Sequence, residues 1–93
     1  MAELRGEIDR LDRELVALLA RRARFIDRAA ELKRPIGWPA RIEDRVEEVV
    51  ARVRVAAGGA GLDADLAERL WRELIEWSIA REARALGETE PPR

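Results

Sequence analysis

An unbroken helical pattern occupies the first third of the chain, from Leu4 to Lys33. Apart from Gly6, this stretch consists of good helix formers without proline, and its apolar residues recur at steps of three and four. They are Leu4, Ile8, Leu11, Leu15, Leu18, Ile26 and Ala29. At about 1.5 Å per residue the helix would be about 45 Å long, which is more than a compact domain of this size needs. We therefore expect it to require apolar cover from outside its own chain.

The rest of the chain divides into two shorter helices. Two prolines and a glycine in residues 34–39 predict a turn that ends the first helix. The second helix is predicted over about residues 40–56, followed by a flexible glycine-rich break at 58–61 and a third helix over about 63–86. Residues 87–93 contain two further prolines and are predicted to fray. The pattern thus predicts an all-α fold of a long, a short and a medium helix.

The composition points to a second subunit and excludes several kinds of chemistry. A single domain of residues 1–93 buries a thin core, and without cysteine it has no disulfide to reinforce that core. We therefore expect a homodimer. The chain also lacks histidine. The absence of both residue types removes the usual zinc and thiolate sites, and the absence of histidine removes the commonest general acid or base. We expect no metal and no cofactor.

The charge pattern argues against nucleic acid or membrane as partner. Lys plus Arg number 18 and Asp plus Glu 19, and the two signs alternate as they do on solvated helix faces. No apolar run approaches the roughly 20 residues of a membrane span, and the first residues lack the apolar stretch of a signal peptide. These features predict a cytoplasmic location.

Two cations lie where the first helix should present buried side chains. Continuing its apolar steps past Leu18 leads to Arg22, and eleven residues further to Lys33. Eleven residues at about 100° each make about three full turns, so both side chains share one face about 16 Å apart. A buried charge is costly unless it is paired or meets a ligand. From periodicity alone, a ligand site competes equally with a buried ion pair or a solvated guanidinium at Arg22.

The third helix carries a carboxylate on its apolar stripe. Glu82 follows Ser78 by four residues and Trp71 by eleven, so it continues the stripe instead of facing water. Burial there would favour the neutral form of the carboxyl group. The alternative is an ordinary solvated helix end. In the preceding turn, Trp38 is expected to cap a core or a pocket.

Several short sequence elements follow one another in a definite order and at a definite spacing from about Leu4 to Leu86. The elements are Leu4-Arg5, the Ile8 to Asp12 stretch, a leucine run before Arg21-Arg22, then Lys33, Asp44-Arg45, and finally Ile75, Ser78 and Glu82. This set resembles the all-helical class of chorismate mutases. No single element is specific, but the order and spacing together are. The resemblance implies an intertwined, all-α homodimer of the chorismate mutase type.

The resemblance also implies a role for each site residue. Arg22 and Lys33 would bind the carboxylates and the ether oxygen of chorismate, and Glu82 would hydrogen-bond that ether oxygen. Arg5 would reach in from the partner chain. The other implied substrate-binding positions are Arg45, Ser78, Val46 and Ile42. The implied reaction is the pericyclic rearrangement of chorismate to prephenate, which moves no proton and therefore suits a chain without histidine.

Two positions depart from the mutase pattern. The mutases usually carry a glutamate directly after the second-helix arginine, where this chain has Val46, and often an aspartate where this chain has Ile42. The related isochorismate-pyruvate lyases also tend to have an apolar residue at the position of Val46. The leading interpretation is a mutase, followed by such a lyase and by a mutase of 4-amino-4-deoxychorismate. A non-catalytic helical dimerisation or regulatory module is the competing class, but it gives no reason to bury Arg22 and Lys33 on one apolar face.

Overall fold

The fold is described from a computed structural model of the chain, and the description covers residues 1–88. Helix α1 spans Ala2–Lys33 and continues into a short 3-10 turn, after which α2 spans Glu43–Ala60 and α3 spans Ala64–Leu86. No strand occurs within the described residues. The predicted all-α fold of long, short and medium helices is therefore confirmed. None of the helices in this part of the chain is long and apolar enough to cross a membrane.

The predicted boundaries of α2 are wrong at both ends. The helix begins at Glu43 because Ile42 is in an extended conformation with φ −125°, so the helical pattern starts three residues later than about residue 40. At the other end α2 continues through Gly58 and Gly59, although two glycines cost about 1 kcal/mol each relative to alanine. The helix stops only at Gly61, whose positive φ of 76° suits a residue without Cβ.

The turn between α2 and α3 is held by the C-terminal cap of α2 and the N-terminal cap of α3, which are adjacent in the chain. The Leu62 N–H donates to the Ala57 carbonyl at 2.8 Å and closes the end of α2. The Asp63 carboxylate then accepts hydrogen bonds from the N–H groups of Asp65 at 2.8 Å and Leu66 at 3.1 Å, which caps α3. Asp63 is therefore the N-terminal cap of α3. The predicted flexible break is instead a tight turn between two capped helices.

Helices α2 and α3 form an antiparallel hairpin, and only the second half of α1 packs on it. The core centres on Val46, Val50 and Ile75, with Val49, Trp71 and Ile79 packed against them. From α1 only Ala30 is fully buried. The C-terminal half of α1 runs alongside α3 in the same direction, because Arg22 contacts Ser78 and Lys33 contacts Glu82. The three helices thus converge around the end of α1.

The first half of α1 is not covered by any other part of residues 1–88. All of the first 20 residues are exposed, including a row of large apolar side chains. These are Leu4, Ile8, Leu11, Leu15, Val16, Leu18 and Leu19. The radius of gyration is 15.9 Å, whereas a compact domain of this length has about 12 Å. Residues 1–88 of the single chain therefore do not supply the apolar cover that the sequence pattern predicts for α1.

An ion pair fastens the packed half of α1 to α3. Arg81 donates to both oxygens of Asp27, at 2.6 and 2.9 Å, and its guanidinium lies 5.4 Å from the centre of the Trp77 ring. These hydrogen bonds hold the pKa of Asp27 below its ordinary value. A lowered pKa means that the stabilisation is present above the pKa of the unfolded chain and is lost as the pH falls through the folded value.

We expect Asp27→Asn to lower the thermal midpoint at about pH 7 and to have less effect at strongly acidic pH, where the wild-type carboxylate becomes protonated as well. Thermal unfolding followed by circular dichroism at both pH values measures this difference. Glu31→Gln is the control, because the Glu31–Arg28 pair lies within one turn of α1 and is solvent-exposed. An equal loss for Asp27→Asn at both pH values would contradict the assignment.

Candidate active site

A cavity of about 480 Å³ lies where α1, α2 and α3 converge. Its walls combine charged and apolar side chains and include seven of the eight predicted site residues. The lining residues are Arg22, Ile26, Ala29, Lys33, Trp38, Ala40, Ile42, Arg45, Val46, Val49, Ile75, Ser78, Ile79 and Glu82. Three cations and one carboxylate face this space, so its walls carry a net positive charge. A cavity of this size suits a small organic anion.

Arg22 extends from α1 across the cavity to α3. Its Nη1 atom donates to Ser78 Oγ at 2.8 Å, and Ser78 Oγ donates in turn to the Leu74 carbonyl at 2.8 Å. Burial, and secondly the positive charge of Arg45, lower the pKa of Arg22 from its ordinary value. An arginine remains a cation at neutral pH all the same. Arg22 is therefore a partly desolvated charge bonded to a neutral hydroxyl, and no carboxylate of residues 1–88 is bonded to it.

Lys33 and Glu82 form a buried ion pair at the end of the cavity. Lys33 Nζ lies 2.8 Å from Glu82 Oε1, with side-chain exposures of 16% and 7%. The same ammonium donates to the Ala40 carbonyl at 3.1 Å. No donor within the described residues is aligned with Glu82 Oε1 in hydrogen-bonding geometry, despite the short distance to Lys33. The prediction that Glu82 is buried is therefore confirmed, and the alternative of a solvated helix end is wrong. The Oε1 atom of Glu82 can still accept a hydrogen bond.

Lys33 is also the single lysine of the chain, since the other basic residues are all arginines. An ammonium concentrates its charge on one small group with three donors, whereas a guanidinium is a planar fork. The Lys33 ammonium donates to the Ala40 carbonyl and lies 2.8 Å from Glu82 Oε1. Because an ammonium has three N–H donors, Lys33 retains donor capacity for a ligand.

The α2 wall of the cavity is mainly apolar. Val46 is buried and Ile42 partly buried, one turn apart on the face that lines the cavity. Arg45 stands at the edge with 59% of its side chain exposed, where it pairs with Glu48. Neither Val46 nor Ile42 can hydrogen-bond a ligand. The polar groups are therefore concentrated on α1 and α3, and α2 supplies shape and one peripheral cation.

Arg5 is the one predicted site residue that does not line this cavity. It precedes Arg22 by 17 residues on the same straight helix, which places it about 25 Å away along the axis at about 1.5 Å per residue. The side chain is exposed. Arg5 therefore cannot serve the cavity of its own chain.

Two further parts of the cavity wall lie in the segment between α1 and α2. Trp38 borders the cavity with 56% of the residue exposed, which decides between the two expected roles in favour of a pocket. The Ala40 main chain, which orients Lys33, carried no signal in the sequence because any residue has a carbonyl group. No cluster of carboxylates within residues 1–88 could hold a metal ion.

Comparison with known proteins decides the family. The sequence model of the family described as chorismate mutase type II matches residues 4–83. The chain belongs to the chorismate mutase type II family. The resemblance drawn from the order and spacing of the residues is thereby confirmed. No solved structure matches the chain significantly.

Relatives of this chorismate mutase type II chain carry more than one function. It is 35% identical over 82 residues to the T-protein of Haemophilus influenzae, which covers 88% of this chain but 22% of that protein. It is 28% identical to a chorismate mutase of Methanocaldococcus jannaschii, over 97% of this chain and 91% of that one. An isochorismate pyruvate lyase of Pseudomonas aeruginosa is 34% identical over 88% of this chain and 80% of its own. The chain therefore spans about a fifth of the T-protein and most of the other two relatives.

Proposed function

We propose that this protein is a chorismate mutase, which rearranges chorismate to prephenate. The observation that carries the proposal is the arrangement of Arg22, Lys33 and Glu82 around one largely apolar cavity. Chorismate has two carboxylates and an ether oxygen, so cations at two places in a positively charged cavity match its charge distribution. Membership of the chorismate mutase type II family supports the same substrate.

In the proposed reaction the ether C–O bond breaks while a new C–C bond forms, and no proton is transferred. The site therefore needs to hold a compact conformer and to stabilise negative charge on the ether oxygen. Arg22 binds one carboxylate, and an N–H of Lys33 meets the ether oxygen. Glu82 fixes the ammonium beside that oxygen. The apolar residues Val46, Val49 and Ile75 exclude water, which strengthens these interactions.

The apolar side chains at Val46 and Ile42 are the observation behind a second candidate, an isochorismate-pyruvate lyase. Val46 and Ile42 offer no partner to a hydroxyl group of the substrate ring, and a 34% identical relative is named as such a lyase. A mutase of 4-amino-4-deoxychorismate is less favoured, because an ammonium group on the ring would need a carboxylate where Val46 stands.

Purified protein incubated separately with chorismate, isochorismate and 4-amino-4-deoxychorismate tests these candidates. Ultraviolet absorbance follows consumption, and chromatography identifies the product. We expect prephenate from chorismate as the fastest reaction. Faster release of pyruvate and salicylate from isochorismate would reassign the protein to the lyases. No turnover of any of the three would leave a non-catalytic helical module.

We further propose that the active form is a homodimer in which the α1 helices of two copies pack antiparallel. The chain exposes 7413 Å², about 1,900 Å² more than the roughly 5,500 Å² expected for a compact chain of this mass. Residues 2–16 contain five acidic and three basic residues, and residues 17–33 contain five basic and two acidic ones. Antiparallel packing therefore pairs opposite charges. It also brings Arg5 of one copy towards the Arg22–Lys33 region of the other.

We expect a dimer in solution, because the exposed apolar row on α1 would otherwise face water. Light scattering coupled to size-exclusion chromatography at micromolar concentration measures the mass. Replacing Leu11 and Leu15 with Glu should yield monomers that have lost activity, whereas replacing the exposed Val55 of α2 with Glu should leave the dimer intact. A wild-type monomer with full activity would contradict this assembly. The site of action proposed for the dimer is the cytoplasm, which cell fractionation tests.

A further inference from the structure

The chain segment between α1 and α2 is anchored to the C-terminal end of α3. Residues 37–42 lie outside any helix. The Arg34 guanidinium donates to the Ala85 carbonyl near the end of α3, where helix carbonyls lack partners within the helix. The second anchor is Glu88, whose Oε1 atom accepts a hydrogen bond of 3.0 Å from the Ala40 N–H. Glu88 thus binds the segment at a residue that also lines the cavity.

Ala40 links this anchor to the active site. The residue is only 4% exposed. Its N–H faces Glu88, and its carbonyl accepts the 3.1 Å hydrogen bond from Lys33 Nζ. The ammonium of Lys33 is in turn 2.8 Å from Glu82. One unbroken series of contacts therefore runs from Glu88 through the main chain of Ala40 to the cation of the cavity.

We propose that Glu88 is a positioning residue, which fixes the Lys33 ammonium through the main chain of Ala40; the catalytic part of this inference rests on the proposed mutase function. A carboxylate makes a strong, charge-assisted hydrogen bond to a main-chain N–H. Without it, the buried N–H of Ala40 loses its partner and the segment relaxes towards water. The Ala40 carbonyl then moves away from Lys33. Displacements of about 1 Å at a reacting group can cost about 10²-fold in rate.

The test uses Glu88→Ala, Glu88→Gln and, as matched control, Glu73→Ala at an exposed glutamate of α3. We expect kcat/KM for chorismate to fall about 10- to 100-fold in Glu88→Ala, mainly through kcat. Glu88→Gln should retain most activity, because its amide oxygen still accepts from Ala40. Glu73→Ala should match the wild type. If Glu88→Ala loses its helical circular dichroism, Glu88→Asp replaces it, since the shorter side chain withdraws the acceptor.

Two readouts do not depend on activity. The exchange rate of the Ala40 amide, measured by NMR, should rise in Glu88→Ala and stay slow in Glu88→Gln. Because Lys33 is the single lysine, protein labelled with 13C-lysine gives one side-chain spectrum, which should shift in Glu88→Ala alone. Unchanged Ala40 exchange or an unchanged lysine spectrum in Glu88→Ala would overturn the inference. If both respond as expected but the wild type does not convert chorismate, the proposed function fails and the positioning of Lys33 stands.

Discussion

Replacing Lys33 with Ala is expected to lower kcat/KM for chorismate by about 10²- to 10³-fold, the usual cost of losing one preorganised charge-stabilising group. The ammonium is held by the Ala40 carbonyl and Glu82 before substrate arrives. Its removal also leaves Glu82 buried without its counter-ion, which would repel a dianionic substrate. Lys33→Arg should recover little, because a planar guanidinium cannot occupy the same small space. Steady-state kinetics on each variant measure the loss.

Two further variants, one in the proposed site and one outside it, test whether the loss of activity is specific to the site. Arg22→Ala should lose activity to a similar degree while unfolding at the same or a higher temperature, because the wild-type guanidinium is partly desolvated and no carboxylate of residues 1–88 is bonded to it. Arg28→Ala removes an exposed cation of α1 that pairs with Glu31 one turn away, so it should leave kcat/KM unchanged. Near-normal turnover in Lys33→Ala, with or without loss in Arg28→Ala, would reject the proposed site.

The second large effect is expected from mixing two inactive variants. In the proposed dimer each cavity uses Arg22 of one chain and Arg5 of the other, so Arg5→Ala and Arg22→Ala should each abolish most activity. Co-refolding equal amounts of the two should restore about a quarter of the wild-type activity. Half of the dimers would then be mixed, and each mixed dimer would contain one cavity with both arginines.

This restoration is specific to a shared site. Co-refolding Arg22→Ala with Lys33→Ala is the control, because both residues line the same cavity of one chain and every mixed dimer then has two defective cavities. Activity that merely averages the two Arg5 and Arg22 variants would show that Arg5 serves no partner. Recovery in the control would show that the exchange assay itself is faulty.

The helical periodicity of the sequence predicted which site residues share one face of a helix. Arg22 and Lys33 share a face because eleven residues complete about three turns, and Glu82 follows Ser78 by one turn on the buried face of α3. Such relations depend only on spacing within a helix. Whether Glu82 was buried or solvated depended on α1 packing along α3, and one chain's periodicity does not contain that information.

Contacts between distant segments account for what the sequence analysis missed. Gly58 and Gly59 are helical because the end of α2 is closed by hydrogen bonds to the turn before α3, which outweighs their low helix propensity. Glu88 falls in the stretch predicted to fray, yet it binds Ala40, 48 residues away. The last five residues of that stretch, 89–93, lie outside the described part of the chain. The Arg5 prediction remains untested, because it concerns a second chain.

In the proposed dimer, burial of the apolar row of α1 by the partner would make the lifetime of this protein in a cell depend on its abundance. A copy that had not yet assembled would expose a long hydrophobic helix to proteases and chaperones, so unassembled copies would be removed while assembled ones persisted. Doubling synthesis would then raise the amount of enzyme more than twofold at low expression and only twofold at high expression. Dilution during rapid growth would deplete the enzyme faster than cell division alone.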